Sequence, residues 1–326
     1  MRELYAGKRV LIAGGAGFLG SNLALRLVEW GAQVTIVDAF VPGSGGRLQN
    51  IAPIRARVDL QLFDLRQQAR LQDIVRRQDV VFSLAGKSGH LESMLDPMAD
   101  LEMNLRAHLC LLEALAAENR EAIVVHTSTR QVYGRPQFLP VDETHPVAPV
   151  DVNGIHHLAA EMYYRLYRRT HGIRSVCLRL TNTYGPRMDL RSPNSGFVAS
   201  FVRHALLGEA ICLYGTGQQR RDFNYVDDVV DALLCAGTGR VDGGPFNLGH
   251  PHPCSLLEFV RLLRRFGRFE CRCVPFPEEL AAIDIGDYWG SSERFGQATG
   301  WQPRVELEQG LARTVQFFEQ NREQYL

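Results

Sequence analysis

A glycine-rich turn between an apolar strand and an amphipathic helix is the feature that most constrains this chain. The strand reads RVLIAGG, and in the following FLGSNLALRLVEWG the residues Leu19, Leu23, Leu27 and Val28 recur at helical spacing. The runs QVTIVD, DVVFSLAG, AIVVHTST and RSVCLRLTNTYG are further predicted strands, and a long helix is predicted from about residue 100 to 118. This alternation predicts an α/β fold with a Rossmann-type, doubly wound parallel sheet and helices on both faces.

The pattern of elements becomes looser after about residue 185. GPRMDLRSPNSG and GTGQQRRDF are predicted as polar loops, and SLLEFVRLLRRF and LARTVQFFEQ as short elements of a smaller lobe. We therefore predict a Rossmann domain over residues 1–185. Residues 186–326 are predicted to form mainly a substrate-binding lobe, with some elements returning to the first domain.

Charge and composition limit the partners and the compartment. Lys+Arg and Asp+Glu number 36 each, so no overall basic field draws in nucleic acid or an acidic membrane. No apolar run approaches the roughly 18 residues of a membrane span, and the chain enters a strand pattern at once, without a signal-peptide pattern. The seven cysteines show no CxxC pair and no metal-spaced histidines. We expect a cytoplasmic protein with reduced thiols and no metal.

The glycine turn indicates a dinucleotide site. Gly14, Gly17 and Gly20 permit a tight turn, a close approach to a pyrophosphate and close helix–strand packing, and Phe18 and Leu19 open the helix beside it. The second strand ends in Asp38, 18 residues after Gly20, where a carboxylate would bond a ribose and repel a 2′-phosphate. NAD is therefore favoured over NADP. After the third strand, Asp64 and Leu65 are predicted to meet the adenine edge.

Several motifs occur in an order that resembles one family. They are IAGGAGFLGSNL, FSLAG, TSTRQVYG, LRLTNTYGPR, GTGQQRRDFNYVDDVVDAL and FNLG followed by SLLEF. In this respect the chain resembles the extended short-chain dehydrogenase/reductases that act on nucleotide sugars, among them the NDP-sugar epimerases and dehydratases. The resemblance implies tightly held NAD, a nucleotide-sugar substrate and a homodimer in which the helices near residues 100–118 and 156–169 pack together.

The same resemblance implies roles for individual residues. Leu84, Ala85 and Gly86 of FSLAG would lie beside the nicotinamide ribose, and Thr129 would bond the reacting sugar hydroxyl. The substrate side would be contacted by Asn182, Arg187 and Arg221. The family's dehydratases place an Asp-Glu pair directly after that Thr, whereas this chain has Arg130 and Gln131, so dehydration by that mechanism is disfavoured.

The stretch VNGIHHLAAE departs from the family pattern Tyr-x-x-x-Lys-x-x-x-Glu. Aligned on its glutamate, the tyrosine position is Asn153 and the lysine position is His157. Asparagine exchanges no proton near neutral pH, and general acid–base assistance is worth about 10²- to 10⁴-fold in rate. His157 is our first candidate for both the ribose contact and the proton transfer. His90 is the second, in a loop that also carries Glu92.

Two classes of function remain open at this point. The first is an NAD-dependent nucleotide-sugar enzyme, most simply a 4-epimerase-type oxidoreductase with a non-standard acid/base, or a related oxidoreductase of another specificity. The second is a catalytically weak protein that binds NAD and a nucleotide sugar as a sensor or partner subunit. The substrate-side motifs favour the enzyme, and the exchange at Asn153 and His157 favours the binding protein.

Overall fold

The computed structural model describes residues 1–192, 196–241 and 243–326, without the side chain of Glu279. Residues 193–195 of the predicted polar loop therefore lie outside the described part. The strands are β1 (Arg9–Ala13), β2 (Gln33–Asp38), β3 (Asp59–Leu62), β4 (Val80–Ser83), β5 (Ile123–Thr129), β6 (Ser175–Leu180), β7 (Asn182–Tyr184), β8 (Ile211–Tyr214), β9 (Arg220–Arg221), β10 (Phe223–Tyr225), β11 (Gly243–Leu248), β12 (Cys254–Ser255) and β13 (Cys271–Val274).

The α-helices alternate with these strands over the first half of the chain. They are α1 (Arg2–Tyr5), α2 (Phe18–Glu29), α3 (Leu48–Ile51), α4 (Gln68–Val75), α5 (His90–Leu95), α6 (Pro97–Leu101), α7 (Ala107–Glu118), α8 (Val152–His171), α9 (Gly196–Leu207), α10 (Val226–Ala236), α11 (Leu256–Leu263), α12 (Glu278–Ile283), α13 (Glu293–Thr299), α14 (Leu307–Gln320) and α15 (Arg322–Tyr325). Ala52–Arg57 and Arg130–Tyr133 are 3₁₀ turns.

Seven parallel strands form the central sheet in the order β11-β6-β5-β4-β1-β2-β3. The inner strands β1 and β4 are buried on both faces, which explains their nearly continuous apolar runs. One face packs against α2 and α10, the other against α4, α7 and α8. The predicted doubly wound, Rossmann-type α/β fold is confirmed.

After residue 185 the described part of the chain returns to this sheet once. Strand β11 pairs in parallel with β6 at the sheet edge, while β7–β10, β8–β13 and β9–β12 form separate two-stranded pairs. The division at residue 185 stays a prediction, because β11 and the pair β7–β10 connect both sides of it.

Two helices differ from the sequence-based expectation, and both differences shape the site. The predicted helix 100–118 is interrupted by a π-helical turn, Glu102–Arg106, between α6 and α7. The helix expected near 156–169 begins earlier, at Val152, because the Asp151 side chain accepts a hydrogen bond from the N–H of Gly154 and caps it. Asn153 is therefore part of the first turn of α8.

The described helices include none that combines the length and the apolar character needed to cross a membrane.

Candidate active site

One cavity of about 490 Å³ lies at the carboxyl ends of the central strands. The residues that come directly after β1, β2, β4 and β5 line this cavity. This is expected for an open parallel sheet, where ligands bind outside the carboxyl ends of the strands. Every residue predicted to bind the cofactor lies on its wall: Gly14, Gly17, Phe18, Leu19, Gly20, Asp38, Asp64, Leu65, Leu84, Ala85, Gly86 and His157. The predicted catalytic residues Thr129, Asn153 and His90 line the same cavity.

The glycine turn owes its shape to backbone contacts. A Cβ atom on Gly20 would lie 2.2 Å from the carbonyl oxygen of Gly14, and Gly14 itself has φ +78° and faces the backbone of Ala85. Helix α2 begins after Gly17 without a side-chain cap. Its first-turn N–H groups and the helix dipole therefore present positive charge to the cavity.

Asp38 closes this wall at the end of β2. Its two carboxylate oxygens accept hydrogen bonds from the N–H groups of Ala16, at 3.0 Å, and Phe40, at 2.9 Å. Burial raises the pKa of Asp38, and these two hydrogen bonds oppose the rise. Further along the wall, a side-chain hydrogen bond from Arg66 lowers the pKa of Asp64.

The first turn of α8 holds Asn153 by its amide. Its Nδ2 donates to the carbonyl oxygen of Lys87 at 2.9 Å and to Oδ2 of Asp100 at 3.2 Å, and the side chain is buried. Asn104, on the π-helical turn, clamps Lys87 further, accepting from its N–H and donating to its carbonyl. Asn153 is thus a link between α8 and the segment after β4.

Two charged side chains near this link, those of Lys87 and Asp100, were not predicted from the sequence to be site residues. Lys87 lines the cavity with its ammonium 2.7 Å from Glu92. Buried Asp100 accepts from Nδ1 of His156 at 2.7 Å, so His156 is paired with a carboxylate of α6. Lys87 follows directly after the strand motif FSLAG, which was the available signal for it.

His157 faces a buried aromatic cluster. Its ring lies 6.3 Å from that of His126, which stacks on Tyr164 at 4.5 Å and meets His108 edge-on at 4.5 Å. Within the described chain, Nδ1 of His157 and both ring nitrogens of His126 make no hydrogen bond of normal geometry. Burial lowers the pKa of His157, and it lowers the pKa of His108 to about 3. All three rings are therefore neutral near pH 7.

His90 has a different environment. Its Nδ1 is 3.0 Å from Oδ2 of Asp151 and 3.1 Å from Nε2 of Gln131, while about a third of the side chain is exposed to the cavity. Gln131 also donates from Nε2 to Asp151, and its backbone N–H donates to Oγ1 of Thr129. Thr129 and His90 are therefore held by the same residue.

The predicted substrate-side residues separate into two groups. Asn182 lines the cavity, accepts from Arg130 at 3.3 Å and donates to the carbonyl of Asp222. Arg187 is turned away: it donates to Asn22 and lies 5.1 Å from the centre of the Phe317 ring. Arg221 donates to the backbone carbonyls of Arg220 and Gly286.

Neither Arg187 nor Arg221 is on the wall of this cavity, and their contact with a substrate stays a prediction. Arg130, which the sequence analysis treated only as a departure from the dehydratase pattern, does reach the cavity, over the ring of Tyr288. The direction of each arginine depends on its neighbours from other elements.

Comparison with known proteins matches the model of the NAD dependent epimerase/dehydratase family to residues 10–249. The chain belongs to this family. It is 31% identical to a UDP-glucose 4-epimerase of Mycolicibacterium smegmatis, over 95% of this chain and 98% of that protein. It is 32% identical to UDP-glucuronic acid decarboxylase 1 of Danio rerio, over 95% of this chain and 72% of that protein.

A solved structure of a Thermus thermophilus UDP-glucose 4-epimerase in complex with NAD is 29% identical and superposes with a TM-score of 0.85. The match covers 95% of this chain and 99% of the other. The predicted family and cofactor are confirmed: this is an NAD-dependent enzyme of the epimerase/dehydratase family.

The residues present fit NAD. The uncapped first turn of α2 suits the pyrophosphate, and the carboxylate of Asp38 suits the hydroxyls of a ribose. Leu84, Ala85 and Gly86 with His157 bound the other end of the wall, where the nicotinamide ribose would be held. When bound, NAD supplies a hydride acceptor and donor. Thr129 and His90 line the same cavity.

Proposed function

We propose that the enzyme acts on nucleoside diphosphate sugars as a 4-epimerase-type oxidoreductase, in which a sugar hydroxyl is oxidised transiently and then reduced on the opposite face. The observation that carries this proposal is one cavity that joins a complete dinucleotide wall to Thr129 and two imidazoles. The relatives, a UDP-glucose 4-epimerase and a UDP-glucuronic acid decarboxylase by name, support the substrate class.

In this proposal each residue has a limited task. Thr129 orients the hydroxyl, His157 contacts the nicotinamide ribose as a neutral ring, and Asn182 with Arg130 holds the diphosphate. Arg130 and Gln131 occupy the positions of the dehydratase acid pair and carry no carboxylate, which favours a reaction without water elimination.

The test is turnover of a defined set of sugar nucleotides. The purified protein would be incubated with UDP-glucose, UDP-galactose, dTDP-glucose, GDP-mannose and UDP-glucuronate, and products separated by ion-pair chromatography and identified by NMR. Conversion of a hexose to its C4 epimer supports the proposal. Release of CO₂ from UDP-glucuronate would instead support a decarboxylase. Bound NAD with no conversion and no nicotinamide reduction would favour the binding protein.

We also propose a homodimer. The exposed apolar side chains Ile155, Met162 and Leu166 share one face of α8, next to exposed Met94, Leu95 and Met98 of α5 and α6. Large exposed apolar side chains on helices that pack together are typical of an interface. Light scattering after gel filtration would give twice the chain mass, and Met162→Glu would halve it.

We also propose that the protein is cytoplasmic, because all seven cysteines are unpaired thiols and two of them, Cys212 and Cys273, are exposed. The location would be measured with a reporter fusion and by cell fractionation. Protein found outside the cytoplasm would contradict the proposal.

A further inference from the structure

A continuous set of hydrogen bonds runs from the substrate side of the cavity to a buried carboxylate. Thr129 accepts from the N–H of Gln131, the Gln131 amide donates to Asp151 at 3.1 Å, and Asp151 lies 3.0 Å from Nδ1 of His90. We propose that His90, oriented by Asp151 and Gln131, is the catalytic acid/base that replaces the missing tyrosine. This inference rests on the proposed oxidoreductase function.

The surroundings of Asp151 determine which nitrogen of His90 carries the proton. The carboxylate is fully buried, its Oδ1 accepts from Gly154 at 2.6 Å, and it stands at the positive end of α8. Although burial favours the neutral acid, the hydrogen bonds of His90 and Gly154 hold the pKa of Asp151 below its usual value. An ionised carboxylate accepts only, so Nδ1 of His90 carries the hydrogen and Nε2 is left as the acceptor.

Gln131 fixes the arrangement from the other side. Its Nε2 can bond only an acceptor, which orients the amide toward Asp151 and keeps the carboxylate beside His90. Because the backbone of the same residue holds Thr129, the hydroxyl-binding group and the imidazole are positioned together. Asp151 and Gln131 are thus positioning residues in this proposal, and they act through His90.

The other imidazole on the wall is less suited to this role. Burial lowers the pKa of His157, so the cation that forms on taking a proton is disfavoured there. His90 has a carboxylate at hydrogen-bond distance that stabilises the imidazolium, the arrangement by which a catalytic histidine is made an effective base. The comparison reverses the order in which the sequence alone ranked the two residues.

The step balances in protons and electrons. The O–H bond of the sugar hydroxyl breaks and its proton passes to Nε2 of His90. The hydride of the same carbon would leave to NAD, which supplies the acceptor when bound, and the carbon–oxygen bond would become a carbonyl. In the return step Nε2 gives the proton back to the oxygen as the hydride is restored.

The test compares His90→Gln, Asp151→Asn and Gln131→Leu with the wild type. Reduction of bound NAD by UDP-glucose and UDP-galactose would be followed in single turnovers across pH. We expect His90→Gln to slow the step by about 10²- to 10⁴-fold with little change in KM. Asp151→Asn keeps the helix cap, since Asn caps as well as Asp, and we expect a loss of at least about 10²-fold. The exposed His252→Gln is the matched control.

A second measurement does not depend on turnover. In ¹⁵N NMR spectra of histidine-labelled protein, His90 of the wild type should be the Nδ1–H tautomer, and Asp151→Asn should shift the balance toward the Nε2–H tautomer. Rates within threefold of wild type for both His90→Gln and Asp151→Asn would overturn the assignment, and so would an Nε2–H tautomer. If the wild type oxidises neither probe, the proposed function fails, while the tautomer still decides whether Asp151 prepares His90 as a base.

Discussion

The two walls of the cavity are formed by different kinds of contact. On the wall that receives the dinucleotide, the contacts are backbone against backbone, as where Gly20 passes Gly14 too closely for any side chain. On the wall at the start of α8, the contacts are made by side chains, as where Asn153 bonds the backbone carbonyl of Lys87 and the carboxylate of Asp100. A wall made of backbone tolerates almost no substitution. A wall made of side chains can exchange its members if every buried polar group regains a partner.

The largest effect should come from adding a methyl group to the backbone wall. Gly20→Ala would place Cβ against the Gly14 carbonyl and the Gly15 Cα, neither of which can turn aside. We expect a loss of at least about 4 kcal/mol in the free energy of unfolding, with loss of bound NAD. Chemical denaturation and nucleotide extraction measure both. Gly290→Ala is the control, because its Cβ would meet only ordinary contacts; equal losses in both variants would contradict the comparison.

The next effect is on the side-chain wall. Asn153→Tyr restores the family's residue type. The larger side chain must fit into a site that is already filled, and the hydrogen bonds from Nδ2 to Lys87 and Asp100 are lost. We expect a loss of about 2–3 kcal/mol in stability and no gain in turnover. The measurement is thermal unfolding of Asn153→Tyr, compared with that of the control Arg165→Tyr at an exposed site on the same helix. An Asn153→Tyr variant that is as stable as wild type and faster would show that the tyrosine can simply be put back.

The buried histidines beneath this wall make stability depend on pH. His108, His126 and His157 have pKa values lowered by burial, so they bind protons below about pH 6.5 only when the chain unfolds. The free energy of unfolding is therefore not reduced by these histidines above pH 6.5. It falls as the pH decreases from 6.5 toward their pKa values in the folded protein, about 3 for His108.

His126→Leu tests this dependence, because it removes one such proton and no well-formed hydrogen bond to a described residue. We expect about 1 kcal/mol more stability at pH 7 and a slope lower by about 1.4 kcal/mol per pH unit below 6.5. Urea titrations at several pH values give the slope. An unchanged slope, the same as in exposed His252→Leu, would show that His126 is protonated in the folded protein.

Asp38, at the edge of the backbone wall, should affect the binding of the cofactor. Asp38→Asn keeps an acceptor for only one of the N–H groups of Ala16 and Phe40, faces the other with its own amide N–H, and removes the charge that would bond the ribose. We expect NAD to bind about tenfold more weakly, or about 1.4 kcal/mol, and NADP to be discriminated against less strongly. Calorimetry on protein stripped of nucleotide measures both affinities. A tighter NAD complex would contradict the role given to the carboxylate.

The sequence by itself determined the parallel sheet, the dinucleotide wall and the choice of NAD. Those features follow from short-range rules: apolar periodicity, the glycines of one turn, and a carboxylate at the end of the next strand. It also located the departure at Asn153 and His157, since a motif position is a matter of counting.

Only the tertiary structure decided which side chains surround the positions of the missing pair. His90 and Asp151 lie 61 positions apart in the sequence, and Asn153 and Lys87 lie 66 apart. No local pattern records which side chains meet over such separations. The same holds for Arg187 and Arg221, whose motifs were recognisable but whose guanidinium groups are drawn to Asn22 and to the backbone of Gly286. A side chain's direction is set by the hydrogen-bond acceptors that folding brings near it, and those come from other elements.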